Sequence, residues 1–161
     1  MLALIVGRDR GEVDEDRERY VEDFGVLVGE FGLPRMVGRV LGTLLVSDPP
    51  ERSAEELAEA LRASRGSISS ATRTLVQLGL VERYAKPGER RDYFRLKPGA
   101  WDEIMHRELE ALSTFRQIAE RGLLLMRSSS PQAKRGLEEM RDLYAFWERE
   151  LPAILKRWEQ K

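Results

Sequence analysis

The chain contains no cysteine and a single histidine, His106. Disulfides, thiolate metal sites, a cysteine nucleophile and thiol redox sensing are thereby excluded, and one imidazole cannot furnish a histidine-rich metal site or a catalytic triad on a familiar plan. Long apolar runs are missing as well. The run nearest the start covers only residues 2–6, too short for a signal-peptide core, and no later stretch approaches the roughly 18 apolar residues that read as a membrane span. A soluble, cytoplasmic protein that is not an enzyme, with no cofactor and no membrane partner, is expected. An excess of charge of one sign is also absent: 27 Lys plus Arg stand against 28 Asp plus Glu, a formal net charge of -1, so a global basic tail is excluded. What is present is 161 residues with 42% hydrophobic composition, enough for one domain with a core of its own, or one domain with helical extensions.

With 34% of residues charged, local distribution matters more than the sum. Residues 1–32 carry 4 basic and 9 acidic side chains, residues 33–99 carry 12 and 8, and residues 100–161 carry 11 of each. A basic middle module therefore lies between an acidic arm and a balanced tail. Inside it, residues 60–81 contain no carboxylate but include Arg62, Arg65 and Arg73.

The first eleven residues fit a frayed end, a short strand or a segment packing on a partner chain. From about Glu12, Tyr20, Phe24, Leu27 and Phe31 recur at helical spacing, one apolar stripe among charges. A second helix is expected near Pro34, suited to a first turn where its missing N–H costs nothing. In it Gly38 and Gly42 stand one turn apart, leaving a groove where another backbone can approach; without such a return the pair would cost roughly 2 kcal/mol. Pro49 and Pro50 end that helix. Ser53 with Glu56 forms a capping box for the next, whose buried side is Leu57, Ala58 and Leu61. Ser64 caps a further helix with Ile68, Thr72, Leu75 and Leu78 on one face, stopped at Gly79. Residues 80–84 and 92–96 then alternate as strands around a tip carrying Pro87, Gly88, Lys86, Arg90 and Arg91. Beyond Gly99, Trp101, Met105, Leu112, Phe115 and Ala119 mark a long helix, broken at Ser128, Ser129, Ser130 and Pro131. In the last helix Leu137, Met140, Tyr144, Trp147, Leu151, Ile154 and Trp158 step by alternating threes and fours, a heptad seam with Pro152 as a candidate kink.

Three helices, the last two joined by a tight turn, followed by a hairpin, describe a winged helix-turn-helix. The expected fold is mainly α with a small β-hairpin wing: an N-terminal dimerisation helix (12–32), the winged module (33–99) and a C-terminal helical dimerisation region (100–161). In such a module the last helix enters the DNA major groove and the hairpin tip lies along the backbone or in the adjacent minor groove. The outward arc of the expected recognition helix holds Gly66, Ser70, Arg73 and Gln77, flanked by Ser67, Ser69 and Thr74, with Ser64 and Arg65 at its start. Small hydroxyls can bond phosphates or bases, Arg73 can reach guanine bidentately and Gln77 can read adenine. A solvated structural helix more often exposes Glu and Lys; none of this arc is acidic. At the wing Lys86, Arg90 and Arg91 form an electrostatic probe suited to a narrow A·T-rich minor groove.

These residues carry a family resemblance. Ser64-Arg65-Gly66-Ser67-Ile68-Ser69, Leu75-x-x-Leu78-Gly79-Leu80-Val81-x-Arg83 and Glu89-Arg90-Arg91 resemble the MarR family of bacterial transcriptional regulators. Gly32-Leu33-Pro34-Arg35-x-x-Gly38-Arg39-x-x-Gly42-x-Leu44-Leu45 and Gly88-Glu89-Arg90-Arg91-Asp92-Tyr93-Phe94 are similar to its GbsR-like branch. The likeness covers about residues 12–130 and is most specific between 32 and 96. It implies a homodimer held by N- and C-terminal helices, two recognition helices on a pseudo-palindromic double-stranded operator, and repression relieved by a small molecule. Glu89 stands where the family's wing commonly has Asp. Dimerisation also follows from the aromatic-rich end helices, too extensive for the central module to cover; the alternative is that they fold back as an intramolecular lid. Trp101, Phe115, Tyr144, Trp147 and Trp158 invite comparison with a quaternary-ammonium cage, but aromatics at helical spacing are more often core or dimer contacts, so no effector residue is named. His106 reads as a surface residue. The competing functional reading is a winged-helix protein-protein interaction module that does not bind DNA.

Overall fold

The computed structural model describes residues 10–160. The apolar run at 2–6, and all but the last two of the eleven ambiguous starting residues, lie outside the described part. The elements run α1 (Arg10–Glu30), α2 (Arg35–Leu45), β1 (Glu51–Ser53), α3 (Ala54–Ala60), α4 (Arg65–Gln77), β2 (Val81–Ala85), β3 (Asp92–Leu96), α5 (Ala100–Leu125) and α6 (Pro131–Glu159). They form two compact units, the first ending at Ala100 and the second starting at Trp101, so α1 shares a unit with the helix-turn-helix.

The core of the first unit is built on α2, α3, α4 and the sheet. Val40, Leu44, Leu57, Ile68 and Leu75 are essentially inaccessible, and Val37, Leu41, Leu61, Ala71, Val81, Tyr93 and Phe94 complete the layer. Each large aliphatic side chain removed from water in this way contributes about 1.5–3 kcal/mol. On α4 the buried face is Ile68, Ala71, Thr72 and Leu75, whereas Leu78 is the helix's C-cap and only half-buried. Pro34 also stands one position outside its expected place: its extended backbone makes it the N-cap, and α2 begins at Arg35.

Helix ends follow their capping residues. The Glu56 amide donates to Ser53 Oγ at 3.2 Å and the Ser53 amide donates to Glu56 Oε2 at 2.7 Å, the reciprocal box that opens α3. Ser64 Oγ accepts from the Ser67 amide at 3.2 Å to open α4. At the other end of α4, Gly79 takes a φ of 74°, with the Leu80 amide donating to the Leu75 carbonyl and Gly79 to Val76, both at 3.0 Å. The α3–α4 turn closes in the same way, Ala63 donating to Ala58 at 2.9 Å and Arg62 to Glu59 at 3.2 Å, yet the left-handed residue is Arg62 (φ 49°) where glycine is usual.

Gly38 and Gly42 do admit another backbone, and it is that of α1. A Cβ placed on Gly38 would lie 2.5 Å from the Phe24 carbonyl oxygen and 2.8 Å from Gly25 Cα, and one on Gly42 would lie 3.0 Å from Phe24 Cβ. The face of α1 turned to α2 is therefore Val21, Phe24, Gly25 and Val28, while Tyr20, Leu27 and Phe31 of the expected stripe are exposed. Only Phe24 belongs to both.

The wing carries a third strand. β1 pairs antiparallel with β3 (Glu51 opposite Arg95, Ser53 opposite Tyr93), and β3 with β2 (Val81 opposite Leu96, Ala85 opposite Asp92), giving the order β1-β3-β2. A hairpin alone was expected, and the added strand bonds the wing to the start of α3.

In the second unit α5 and α6 form an antiparallel hairpin. Phe115 stacks on Tyr144 with centroids 4.7 Å apart, Arg116 Nε donates to Glu148 Oε2 at 2.6 Å, and Trp158 Nε1 donates to Asp102 Oδ1 at 2.9 Å. Near the turn, Gly122 leaves room for Leu137, whose Cδ1 would sit 3.0 Å from an added Cβ. Ser130 caps α6 through the Ala133 amide at 3.3 Å, with Pro131 in the first turn. His106 is on the surface, its Nδ1 2.8 Å from the Asp102 carbonyl oxygen and its Nε2 3.2 Å from Glu159. No helix among the described residues is long and apolar enough to cross a membrane.

Candidate nucleic-acid interface

With Ile68, Ala71, Thr72 and Leu75 turned into the core, helical geometry sends the other face of α4 outward. Ser64, Arg65, Gly66, Ser67, Ser69, Ser70, Arg73 and Gln77 are all exposed on one surface without a carboxylate. Thr74 lies at its edge, half-buried, its hydroxyl donating to the Ser70 carbonyl at 3.1 Å. Neither Arg65 nor Arg73 forms an ion pair with another described residue. Gly66 adds a separate clue. A glycine inside a helix costs about 1 kcal/mol relative to alanine, and an added Cβ here would meet nothing nearer than Ser64 Oγ at 3.9 Å. Packing within the chain does not require it, whereas close approach of an outside backbone or phosphate would.

The wing sorts its cations into two sets. Residues 86–89 make a tight turn, the Glu89 amide donating to the Lys86 carbonyl at 3.0 Å with Pro87 second and Gly88 third at a φ of 82°, the pattern of a type II turn. Arg83 pairs with Asp92 at 2.7 Å and Arg95 with Glu82 at 2.6 Å, Arg95 also lying over the Tyr84 ring with its guanidinium carbon 4.6 Å from the centroid. Lys86 opens this turn, but unlike Arg90 and Arg91 it is paired. Its ammonium is 2.9 Å from Glu51 of β1 and 4.1 Å from the Tyr93 ring centroid, which fastens the tip-side end of β2 to the third strand. Arg90 and Arg91 are exposed and have no ion-pair partner among the described residues.

The electrostatics of this cluster follow from the same contacts. The hydrogen bond from Lys86 holds Glu51 below the ordinary carboxylate range, and Glu51 in turn raises Lys86. Tyr93 donates its hydroxyl proton to Glu89, which raises the phenol. Glu89 thus pairs with a tyrosine of its own wing. Sequence reading placed Tyr93 in a wing strand but missed Glu51, because nothing in three polar residues at 51–53 signalled a strand pairing with it.

Residues 31–92 match the MarR family, and residues 99–161 match the MmpR5-like MarR family transcriptional regulators. The HTH-type transcriptional regulator MmpR5 of Mycobacterium tuberculosis (strain ATCC 25618 / H37Rv) is 41% identical over 155 residues, covering 96% of this chain and 94% of that protein. The chain belongs to the MarR family. A crystal structure described as a transcriptional regulator is 42% identical and superposes with a TM-score of 0.76 over 91% of this chain and 99% of that one. The HTH-type transcriptional repressor OpcR of Bacillus subtilis (strain 168) is similar over a shorter stretch, 28% identical across 82 residues, 51% of this chain and 44% of that protein. As a MarR family member the protein is a DNA-binding transcriptional regulator, in a family of regulators and not enzymes. The protein-protein module without DNA binding is not favoured.

Proposed function

We propose that this MarR family protein acts in the cytoplasm as a homodimeric repressor that reads a pseudo-palindromic operator, with DNA binding relieved by a small molecule. The observation that carries the reading is the carboxylate-free outer face of α4, where Arg73 has no partner within the described chain. In this reading Ser67, Ser70 and Arg73 contact bases, Ser64, Arg65, Ser69, Thr74 and Gln77 border them, and Gly66 admits the DNA backbone. Arg90 and Arg91 anchor the wing on phosphates or in the minor groove, and Lys86 contributes by holding the wing in place. Within the family, residues 32–45 and 88–94 support a GbsR-like kinship.

The dimer is supported by apolar surface that a lone chain leaves open. Phe31 at the end of α1 is 79% exposed and Leu125 at the end of α5 is 88% exposed, while no residue of α6 is buried despite its heptad seam. Surface of that extent normally finds a partner, and two-fold symmetry would place two recognition helices about one DNA turn apart. Gel shifts on specific and random duplexes test the assignment. Arg73→Ala is expected to cost about 1–3 kcal/mol on specific sites, and Arg91→Ala to weaken every duplex and lower the salt slope by about one. Operator binding unchanged in both variants would show that α4 and the wing are not the reading surface.

A further inference from the structure

The first unit contains a cavity of about 460 Å³, walled by α1, α2, the start of the sheet and the α3–α4 turn. Its volume falls in the range of small-molecule sites, roughly 300–1,000 Å³. Its walls carry both signs of charge, and most of them are loosely engaged. Arg17 stands 3.9 Å from Asp14 and Arg62 stands 4.0 Å from Glu18, the two carboxylate side chains being 74% and 75% exposed. Among the described residues Arg52 reaches only the Asp48 carbonyl, at 3.3 Å. Pairs this long and this exposed exchange readily for a better partner. The apolar part of the lining includes Val21 and Leu61, both buried.

Mixed walls discriminate by charge type. A simple anion would meet the carboxylates of Asp14 and Glu18 together with Glu22, and a simple cation would meet the guanidiniums. A molecule carrying carboxylate and ammonium side by side can match both sets. The cavity also touches the reading head: Arg39, 2.7 Å from Glu22 of α1, donates through Nη2 to the Leu61 carbonyl at 3.2 Å. Leu61 is the C-cap of α3, Arg62 beside it is held in the left-handed region, and Ser64 opens α4. A non-glycine residue held there is backbone strain lining a cavity, an arrangement found at ligand-responsive sites.

We propose that this cavity binds a zwitterionic small molecule of the amino-acid class, its carboxylate on Arg52 and Arg62, its ammonium on Asp14 and Glu18 and its side chain against Val21, and that occupancy alters DNA affinity through the α3–α4 turn. The regulatory half rests on the DNA-binding reading above; the binding half does not.

The test uses the full chain. Common L-amino acids are screened singly at millimolar concentration by thermal shift, and any that raise the midpoint are titrated by calorimetry beside the matching deaminated acid and decarboxylated amine. At least one amino acid should bind, with the acid and the amine each weaker by about tenfold or more. Glu18→Gln and Arg52→Gln should each weaken that binding by a similar factor and leave ligand-free DNA affinity, read by fluorescence anisotropy on a selected duplex, unchanged. Saturating amino acid should shift the same anisotropy curve. Binding by no amino acid, equal binding by the acid or the amine, or full binding by both variants would overturn the site; binding with an unmoved anisotropy curve would overturn the coupling. A chain that binds the amino acid but no duplex at any salt concentration would keep the site and refute the DNA-binding reading instead.

Discussion

Replacing Gly38 with alanine tests the contact that joins α1 to the DNA-reading module. The new methyl would lie 2.5 Å from the Phe24 carbonyl oxygen, 2.8 Å from Gly25 Cα and 2.8 Å from Val28 Cβ. None of these atoms is the free end of a flexible side chain, so the clash can be relieved only by moving α1 as a body. Overpacking of this kind costs about 1–3 kcal/mol, while alanine in a helix interior returns about 1 kcal/mol of propensity. Contact with backbone places the cost at the upper end, and a net loss of about 1–2 kcal/mol is expected. Gly136→Ala in α6 makes the same chemical change where nothing lies within 4 Å in the single chain, so propensity alone acts. A gain of about 0.5–1 kcal/mol is expected there. Urea unfolding followed by circular dichroism, at one fixed protein concentration because a dimer's stability depends on it, gives both values. In thermal scans each kcal/mol corresponds to roughly 2–4 °C for a chain of this size. A Gly38→Ala protein as stable as the parent would refute the close helix contact.

Three further outcomes follow from particular contacts. Arg62→Gly removes a left-handed conformation that costs an L-residue about 1–2 kcal/mol but adds chain entropy on unfolding, so a net gain of about 0.5–1 kcal/mol is expected; denaturant midpoints decide it, and a loss would mean that the Arg62 side chain contributes more than its exposed 4.0 Å pair with Glu18 indicates. The Lys86–Glu51–Tyr93 cluster of the wing should respond to pH at both extremes. Glu51 is depressed in the folded state, so its contribution is full above the ordinary carboxylate pKa and fades as pH falls through the lowered one; Lys86 and Tyr93 are raised, so theirs are full below their ordinary values and fade as pH rises through the raised ones. Glu51→Gln should therefore flatten the acid side of a pH–stability profile, and an acid limb identical to the parent's would refute the pairing. Finally, Phe31→Glu and Leu125→Glu should each shift sedimentation from dimer toward monomer, whereas a chain that works alone would tolerate both at positions this exposed.

Capping chemistry makes most helix ends legible in the sequence. Ser53 with Glu56, Ser64, Gly79 and Ser130 act locally, through side chains and φ values that need no tertiary information, and each stands at the boundary expected of it. The packed face of α1 was not legible for a related reason. Periodicity selects the most apolar stripe, Tyr20, Phe24, Leu27 and Phe31, but α2 presents two glycines and so accepts the face with the smallest profile, centred on Gly25. The rest of the bulky stripe, Tyr20, Leu27 and Phe31, is left exposed. β1 was invisible because Glu51, Arg52 and Ser53 have no strand-like alternation; β3 imposes the pairing through backbone groups that every residue possesses.

The candidate site divides along the same line. Absence of carboxylate between residues 60 and 81 is a property of composition, and it survives folding because α4 turns its polar residues other than Thr72 outward, with Thr74 at the edge. The wing cannot be read so simply. Charge counting treats Lys86, Arg90 and Arg91 as equivalent, but an ion pair depends on what the sheet brings opposite, and only β1 brings Glu51 to Lys86. Once Arg83, Lys86 and Arg95 are paired with Asp92, Glu51 and Glu82, their charge is neutralised locally and contributes little to the field a phosphate would feel. The positive field of the wing then comes from Arg90 and Arg91, and that of α4 from Arg65 and Arg73. Salt dependence of DNA binding should accordingly be carried by these four arginines and not by the full basic count of the module, a distinction that pairing geometry makes and composition cannot.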